Sequence, residues 1–502
     1  MKRLFVILLS CLMLFSSTFM FGFSVPKQNF AKKSDTNSNV LRICNCEDYI
    51  DESLLDEFEE LTGIEVIYST YGTNENLYNE LVINPNSYDL VVPSEYMIQK
   101  LAVEGRINKL DLNRVPNYRD NVSPYIKEKL NSIEFTIEDG EHKGESAYLS
   151  EFMVGYMWGT MGWVYNTDFV DESDVSSWGN VFLNSSLDKK STIKDSVRDS
   201  YLIGLAMTYK EELENATTNE EITEILNRTG REDIKKVGET LTAIKDKLYG
   251  FEVDSGKNDI ILGNINAYVA WSGDAAYAID VAAGEVEDED GTILEGNSIR
   301  SLSYYVPDEG SNIWFDGFVM PSGSNNYELV YKFLNFISSP ESVYRNMDYT
   351  GYTGMLGGEF IYENIVVDWF DESEDLGDDE GIEVDLSYFF GNDREYVIKV
   401  SEENYGRLIA QYPTEQIVER CAVMSYFDAN TLLDVNEMWQ MVKGETFPTW
   451  IIITCFAVII LLAVVIVLYR NKDKIKWLKL PERKKSYAER KSLKIIKIIE
   501  IK

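Results

Sequence analysis

The chain has 502 residues, 45% of them hydrophobic, and a formal net charge of −37. That is enough apolar material for two or three folding units of about 150 residues each, which excludes a single small module. Such acidity repels nucleic acid and attracts cationic solutes, and the lone histidine, His142 in a polar loop, argues against histidine-based triads and multi-histidine zinc sites.

The first element is a segment that directs export. Lys2 and Arg3 precede an apolar run from Leu4 to Phe23, so residues 1–24 read as a signal peptide or a retained signal anchor. Leu8-Leu9-Ser10-Cys11 has the form of a lipoprotein cleavage box, although the residues after Cys11 stay apolar. Residues 25–40, rich in Lys, Ser and Asn, form a linker.

A folded domain then begins with a β-α-β pattern. Leu41–Ile43 reads as a strand, and Asp51–Leu61 as a helix with Leu54, Leu55, Phe58 and Leu61 on one face and Gly63 as its C-cap. Ile64–Tyr68 reads as a second strand. A helix over Asn74–Val82 leads to a buried strand over Asp89–Val92, and repeated β-α-β units predict a parallel sheet flanked by helices.

Further along, a Gly-rich strand is predicted over Tyr156–Val164, with helices over Arg198–Tyr209 and within Glu220–Lys247. Strands follow at Ala267–Ala270, Leu302–Val306 and Phe318–Met320, then a helix at Tyr327–Ile337. Two stretches read as solvated insertions, Glu285–Asn297 and the acidic run Asp371–Gly381, neither of which fits a calcium loop. So many α/β units predict two lobes rather than one sheet, with residues 41–164 and 317–352 in the first and 165–316 and 353–447 in the second.

The far end reads as a membrane anchor. Residues 449–469 include a charge-free run from Trp450 to Tyr469, long enough to span a bilayer. The tail, residues 470–502, carries thirteen Lys/Arg against four Asp/Glu, which places it in the cytoplasm and leaves about −48 on the outward-facing part. Of five cysteines only Cys44, Cys46 and Cys421 fall outside the apolar segments, so no dense disulfide framework is expected.

In open parallel sheets, ligands bind beyond the carboxyl ends of the strands. The loops predicted there pair aromatics with carboxylates: Glu47-Asp48-Tyr49, Ser94-Glu95-Tyr96, Trp271-Ser272-Gly273-Asp274 and Trp314-Phe315-Asp316. Carboxylates hold ammonium groups and rings hold methylene spacers, which is the chemistry a polyamine needs. Taken one at a time, the same residues read more readily as the caps and core plugs of an ordinary α/β domain.

Their order along the chain resembles the bacterial spermidine/putrescine-binding proteins of ABC transporters. The resemblance is carried by Asn45 to Tyr49, Leu54 to Phe58, Thr62-Gly63-Ile64, Tyr68 to Tyr71, Asn74-Glu75 and Tyr88 to Ser94. It resumes at Tyr156 to Asn166, Trp271 to Ala275, and from Tyr305 through Pro307, Glu309-Gly310, Trp314, Asp316, Pro321, Phe333 and Pro340 to Gly351-Tyr352.

This resemblance implies a two-lobed periplasmic-binding-protein fold of type II, a polyamine clamped between the lobes, and delivery to a permease driven by an ATPase. It implies no catalysis and no cofactor or metal. The binder is expected to be monomeric, held at the cell membrane with its binding domain on the extracytoplasmic face.

By position, the resemblance makes Tyr49, Tyr96, Trp271, Trp314 and Tyr352 an aromatic box and Asp316 the carboxylate that grips a ligand nitrogen. Asp195 and Asp199 correspond to an acidic pair for a terminal amine, with one extra residue between them and Asp199 the better match. Ser94 and Asp48 are further polar contacts, and Ser255 is a lesser candidate. Cys46 stands where the family usually has Trp. If the C-terminal segment folds over the cleft as the resemblance implies, Cys421 could pair with Cys46 or with Cys44. An extracellular glycosidase and a membrane-anchored sensory receptor for a cationic solute are the competing readings.

Overall fold

The structure, a computed structural model, describes residues 39–284, 301–377, 380–391 and 394–444, together with Thr454 and Val458. The predicted N-terminal segment, the insertion at 285–297 and the tail therefore lie outside the described residues, as does nearly all of the predicted span at 449–469. Among the described residues, no helix is long and apolar enough to cross a membrane.

The chain enters through three parallel strands, β1 (Val40–Cys46), β2 (Glu65–Tyr71) and β3 (Leu90–Val91), in the order β2-β1-β3. Between β1 and β2, the helix Ser53–Thr62 buries Leu54, Leu55 and Phe58 and ends where predicted. Gly63 adopts φ 68°, a left-handed conformation that costs glycine little, and its N–H reaches Glu59 O. The helix Asn74–Ile83 starts under the Thr73 hydroxyl, which accepts from Asn76 N. The helix Glu95–Val103 follows β3 directly.

A small hairpin, β4 (Glu134–Thr136) with β5 (Ser146–Tyr148), precedes β6 (Val154–Asn166). This 13-residue strand is buried nearly throughout and organises the second sheet. β7 (Ser191–Lys194), β8 (Gly250–Glu252) and β9 (Ala267–Trp271) are mutually parallel in the order β9-β7-β8, and β10 (Leu302–Tyr305) pairs with β6. β11 (Ser311–Phe318) and β12 (Thr353–Gly354) also lie along β6.

Here the mainly parallel expectation fails, because β6 is antiparallel to β9, β10, β11 and β12. At about 3.3 Å per residue, β6 is roughly 40 Å long. Its first half pairs with β11 and β12 and its second half with β9 and β10, so the chain reverses direction at its borders.

The strand predicted at Phe318–Met320 runs instead over Ser311–Phe318, every residue of which is buried. With both faces covered, polar Asn312 and Asp316 sit inside a strand that the sequence pattern presents as a loop. Val319 continues past its end as an antiparallel partner of Val91, and Ser94 faces Asp316 in the same way, which ties the first sheet to β11.

Two hydrophobic cores share β6. Trp158, Phe318, Phe333 and Phe389 belong to one, whereas Trp163, Trp178, Val237 and Trp439 belong to the other. The C-terminal stretch adds the hairpin β13 (Ile382–Asp385) with β14 (Val397–Val400), the helix Glu402–Gln411, and β15 (Cys421–Ala422) beside β11.

The acidic run is largely exposed, as expected, but its start is tied down: Asp371 accepts from Lys399 N, and Glu372 accepts from Ser401 and Asn404. Neither pairing considered for Cys421 is formed. Cys44, Cys46 and Cys421 are free thiols, and Cys421 sits in β15 with its Sγ 3.3 Å from Ile417 O.

Candidate functional site

The first cluster forms where β1, β3 and β11 come together. Tyr49, just beyond β1, donates its hydroxyl to Asp316 Oδ2 at 2.7 Å. Its ring meets Tyr352 edge-on at 5.0 Å and Tyr156 at 5.5 Å, and Tyr156 in turn donates to Tyr49 O. Trp314 packs edge-on against Tyr352 at 5.7 Å, with its indole N–H on Thr160 O. Gly159 permits this approach, since a Cβ there would run into Trp314 and Ser272 Oγ.

Asp316 is 9% exposed, and its Oδ1 accepts no hydrogen bond. Burial pushes its carboxyl up to about 6, against the opposing pull of the Ser94 and Tyr49 hydroxyls. No Lys or Arg among the described residues lies in ion-pair range of it.

Ser94 is held by Asn74, whose amide donates to the Ser94 hydroxyl and accepts from its N–H. Beside it, Glu95 is fully buried; its Oε2 accepts from Phe315 N and its Oε1 from nothing. Burial pushes Glu95 up to about 8. Cys46, at the end of β1, is likewise raised to about 12 by burial, with the Asp316 charge adding to the effect.

The second cluster lies at the carboxyl ends of β7, β8 and β9. Trp271 ends β9, and the ammonium of Lys194 sits 4.1 Å from its ring centroid. Asp274, three residues on in the helix Ser272–Ala283, lies 3.7 Å from Lys194 Nζ and 3.5 Å from Lys257 Nζ. The Tyr352 ring packs directly over Gly273, the residue before Asp274, which links this cluster to the first.

Asp199 is buried in the first turn of the helix Val197–Thr208, its N–H on Ser196 Oγ. Burial raises its carboxyl, opposed by Ser196, Lys194 and Arg198.

The structure thus brings Tyr49, Ser94, Trp314, Asp316 and Tyr352 together, with Trp271 linked to them through Lys194 and Asp274. Three other predicted residues are placed differently. Tyr96 has the guanidinium of Arg198 stacked 4.0 Å over its ring and donates to Glu75. Asp195 is half-buried just past β7, its N–H on Glu252 O. Asp48 is exposed in a left-handed turn at φ 50° and lines a surface hollow of about 210 Å³ with Glu47, Glu52 and Tyr349.

The positions carried over by resemblance do not include Glu95, Lys194, Glu252, Asp274 or Gln411, although Glu95 and Asp274 stand in the aromatic–carboxylate loops read from the sequence. Gln411 donates to Gly351 O beside Tyr352 and has an unpartnered Oε1. Glu95 and Asp274 each sit within three residues of a predicted site residue, a signal the sequence did contain. Lys194 and Gln411 had none.

Buried, partly unpartnered carboxyls next to edge-on aromatics have the chemistry to hold a small cation with apolar segments. The chain is 28% identical over 315 residues to the putrescine-binding periplasmic protein SpuD of Pseudomonas aeruginosa, which covers 61% of this chain and 75% of that protein. It is 26% identical over 323 residues to the spermidine/putrescine-binding periplasmic protein of Salmonella typhimurium, covering 63% and 78%.

A solved structure described as a putative spermidine/putrescine ABC transporter from Listeria monocytogenes superposes with a TM-score of 0.57 at 23% identity, over 81% of this chain and 99% of that one. That likeness establishes the fold. The family model for bacterial extracellular solute-binding proteins matches residues 53–357, more than half of the chain, and the protein therefore belongs to the bacterial extracellular solute-binding protein family.

Proposed function

We propose that the protein captures a polyamine outside the cell and hands it to an ABC permease powered by its ATPase, without chemistry on the ligand. The observation that carries this reading is Asp316: a buried carboxyl with an empty acceptor oxygen, no cation partner among the described residues, and Tyr49, Trp314 and Tyr352 around it. A ligand ammonium supplies the missing charge, and methylenes replace water against the rings at about 0.8 kcal/mol each.

In this reading Asp316 grips one nitrogen, with Tyr49, Trp271, Trp314 and Tyr352 as walls and Ser94 as a polar contact. Asp199 faces the far end, whereas Tyr96, Asp195 and Asp48 serve more remotely. The two cores correspond to two lobes that close on the ligand. The curated relatives named as putrescine- or spermidine-binding support the ligand class.

The binder is taken to be monomeric and tethered through residues 449–469, with the basic tail inside the cell, which raises its concentration near its permease. Titration calorimetry of the full chain with putrescine, cadaverine, spermidine and spermine tests the ligand. Carbonate extraction of membranes tests the tether, and release of the protein into the soluble fraction would refute it. A protein that binds a polyamine yet supports no uptake would point to a sensory receptor instead.

A further inference from the structure

The parallel strands β7, β8 and β9 finish side by side, with Lys194 opposite Glu252 in register and Trp271 closing β9. The carboxyl ends of such strands are where ligands bind, yet a lysine of the chain itself fills this place. Lys194 is only 1% exposed. Its ammonium lies against the Trp271 ring, donates to Val253 O at 2.9 Å, and pairs with Asp274 and Glu252 at 3.7 and 3.9 Å. An aromatic face, a carbonyl and two carboxylates are the partners a ligand's terminal ammonium would seek.

This occupied position is continuous with the open one. Tyr352 packs over Gly273, next to Asp274, and also on Tyr49 and Trp314, and Tyr49 donates to Asp316. At one end of the chain of contacts, Asp316 lacks a cation. At the other, Lys194 and Lys257 already match the charges of Glu252 and Asp274. A second ammonium entering there would meet Glu252 and Asp274 already paired, and would be repelled by the two lysines that pair them.

We propose that Lys194 is a specificity-determining residue whose ammonium fills a far amine subsite, so that the site selects a short amine such as a four-carbon diamine over the longer triamine and tetraamine. The inference rests on the polyamine reading. It adds that the cleft is shortened from within: the tethered ammonium loses no translational freedom on taking its place, so a free amine competes poorly with it.

The test is titration calorimetry of the full chain in mild detergent with putrescine and spermidine, for the wild type and for Lys194→Met, which keeps most of the side-chain volume and removes the charge. The wild type is expected to bind putrescine at least tenfold more tightly than spermidine, and Lys194→Met to move that ratio at least tenfold towards spermidine. Spermidine should also raise the melting temperature of Lys194→Met more than that of the wild type, because its extra ammonium replaces the missing one.

Wild-type binding of spermidine as tight as putrescine overturns the inference even if the variant does not fold. So does a folded variant whose ratio is unchanged. Either result leaves the polyamine reading intact, whereas silence of the wild type towards every amine removes both.

Discussion

Tyr49 and Asp316 are separated by 267 positions in sequence and joined by one 2.7 Å hydrogen bond, from the phenol to Oδ2. The bond satisfies one carboxyl oxygen and leaves the other buried and bare. It orients a charge that the apo protein holds at a cost, since burial favours the neutral form of Asp316.

Asp316→Asn keeps the shape and removes the charge. Polyamine affinity is expected to fall at least tenfold, which is about 1.4 kcal/mol or more. The ligand-free variant should be as stable as the wild type, or more stable, at pH 8, as chemical denaturation would show. Unchanged affinity would remove Asp316 from the site.

The pH dependence follows from the direction of the Asp316 shift. Its folded pKa of about 6 lies above the unfolded value, so its contribution to stability is fully present below about pH 4 and is lost as pH rises through 6. Ligand binding has the opposite trend, because an ammonium needs the ionised carboxyl. Affinity should rise between pH 5 and 7, with proton release detected at pH 6 as a dependence of the calorimetric heat on buffer ionisation enthalpy. Proton uptake on binding would contradict this.

Tyr49→Phe removes the donor to Oδ2 and keeps the ring contacts with Tyr156 and Tyr352. A buried carboxyl without its hydrogen bond costs about 1–3 kcal/mol, and the pH at which ligand binding reaches half its maximum should move upward. Titration of affinity against pH in the variant checks this.

Gly159→Ala places a methyl where the Trp314 ring and Ser272 Oγ now sit. A loss of stability of about 1–3 kcal/mol is expected from overpacking. Because the displaced ring packs on Tyr352, ligand affinity should fall too, measurable by calorimetry below the melting temperature.

Much of this architecture is legible in the sequence where local rules act alone. The helix before Gly63 shows its buried face and its left-handed stop, and the helix over Tyr327–Ile337 matches its 3.6-residue pattern. β11 is misplaced because burial on both faces erases the alternation that marks a half-exposed strand. The aromatics of the site are readable through their family order, but their mutual contacts are not, since Trp314 and Tyr352 are brought together by strands paired along β6 and Tyr49 reaches them from the end of β1.

Lys194 is illegible for a different reason. A lysine at a strand end ordinarily projects into solvent, and only the parallel pairing of β7 with β8 and β9 sets Glu252, Asp274 and Trp271 around it. The stretch after residue 356 offers short helices and a hairpin whose pattern is fixed by tertiary contacts, such as Glu372 with Ser401 and Asn404, rather than by local period.

The most direct test of the account is titration calorimetry of the full chain at pH 7.5 with putrescine, cadaverine, spermidine and spermine, and with arginine as an unrelated cation. The account predicts micromolar or tighter binding of a polyamine, at least tenfold weaker binding in Asp316→Asn, and no heat with arginine. Silence across the four polyamines, or arginine binding as tightly as any of them, would contradict it.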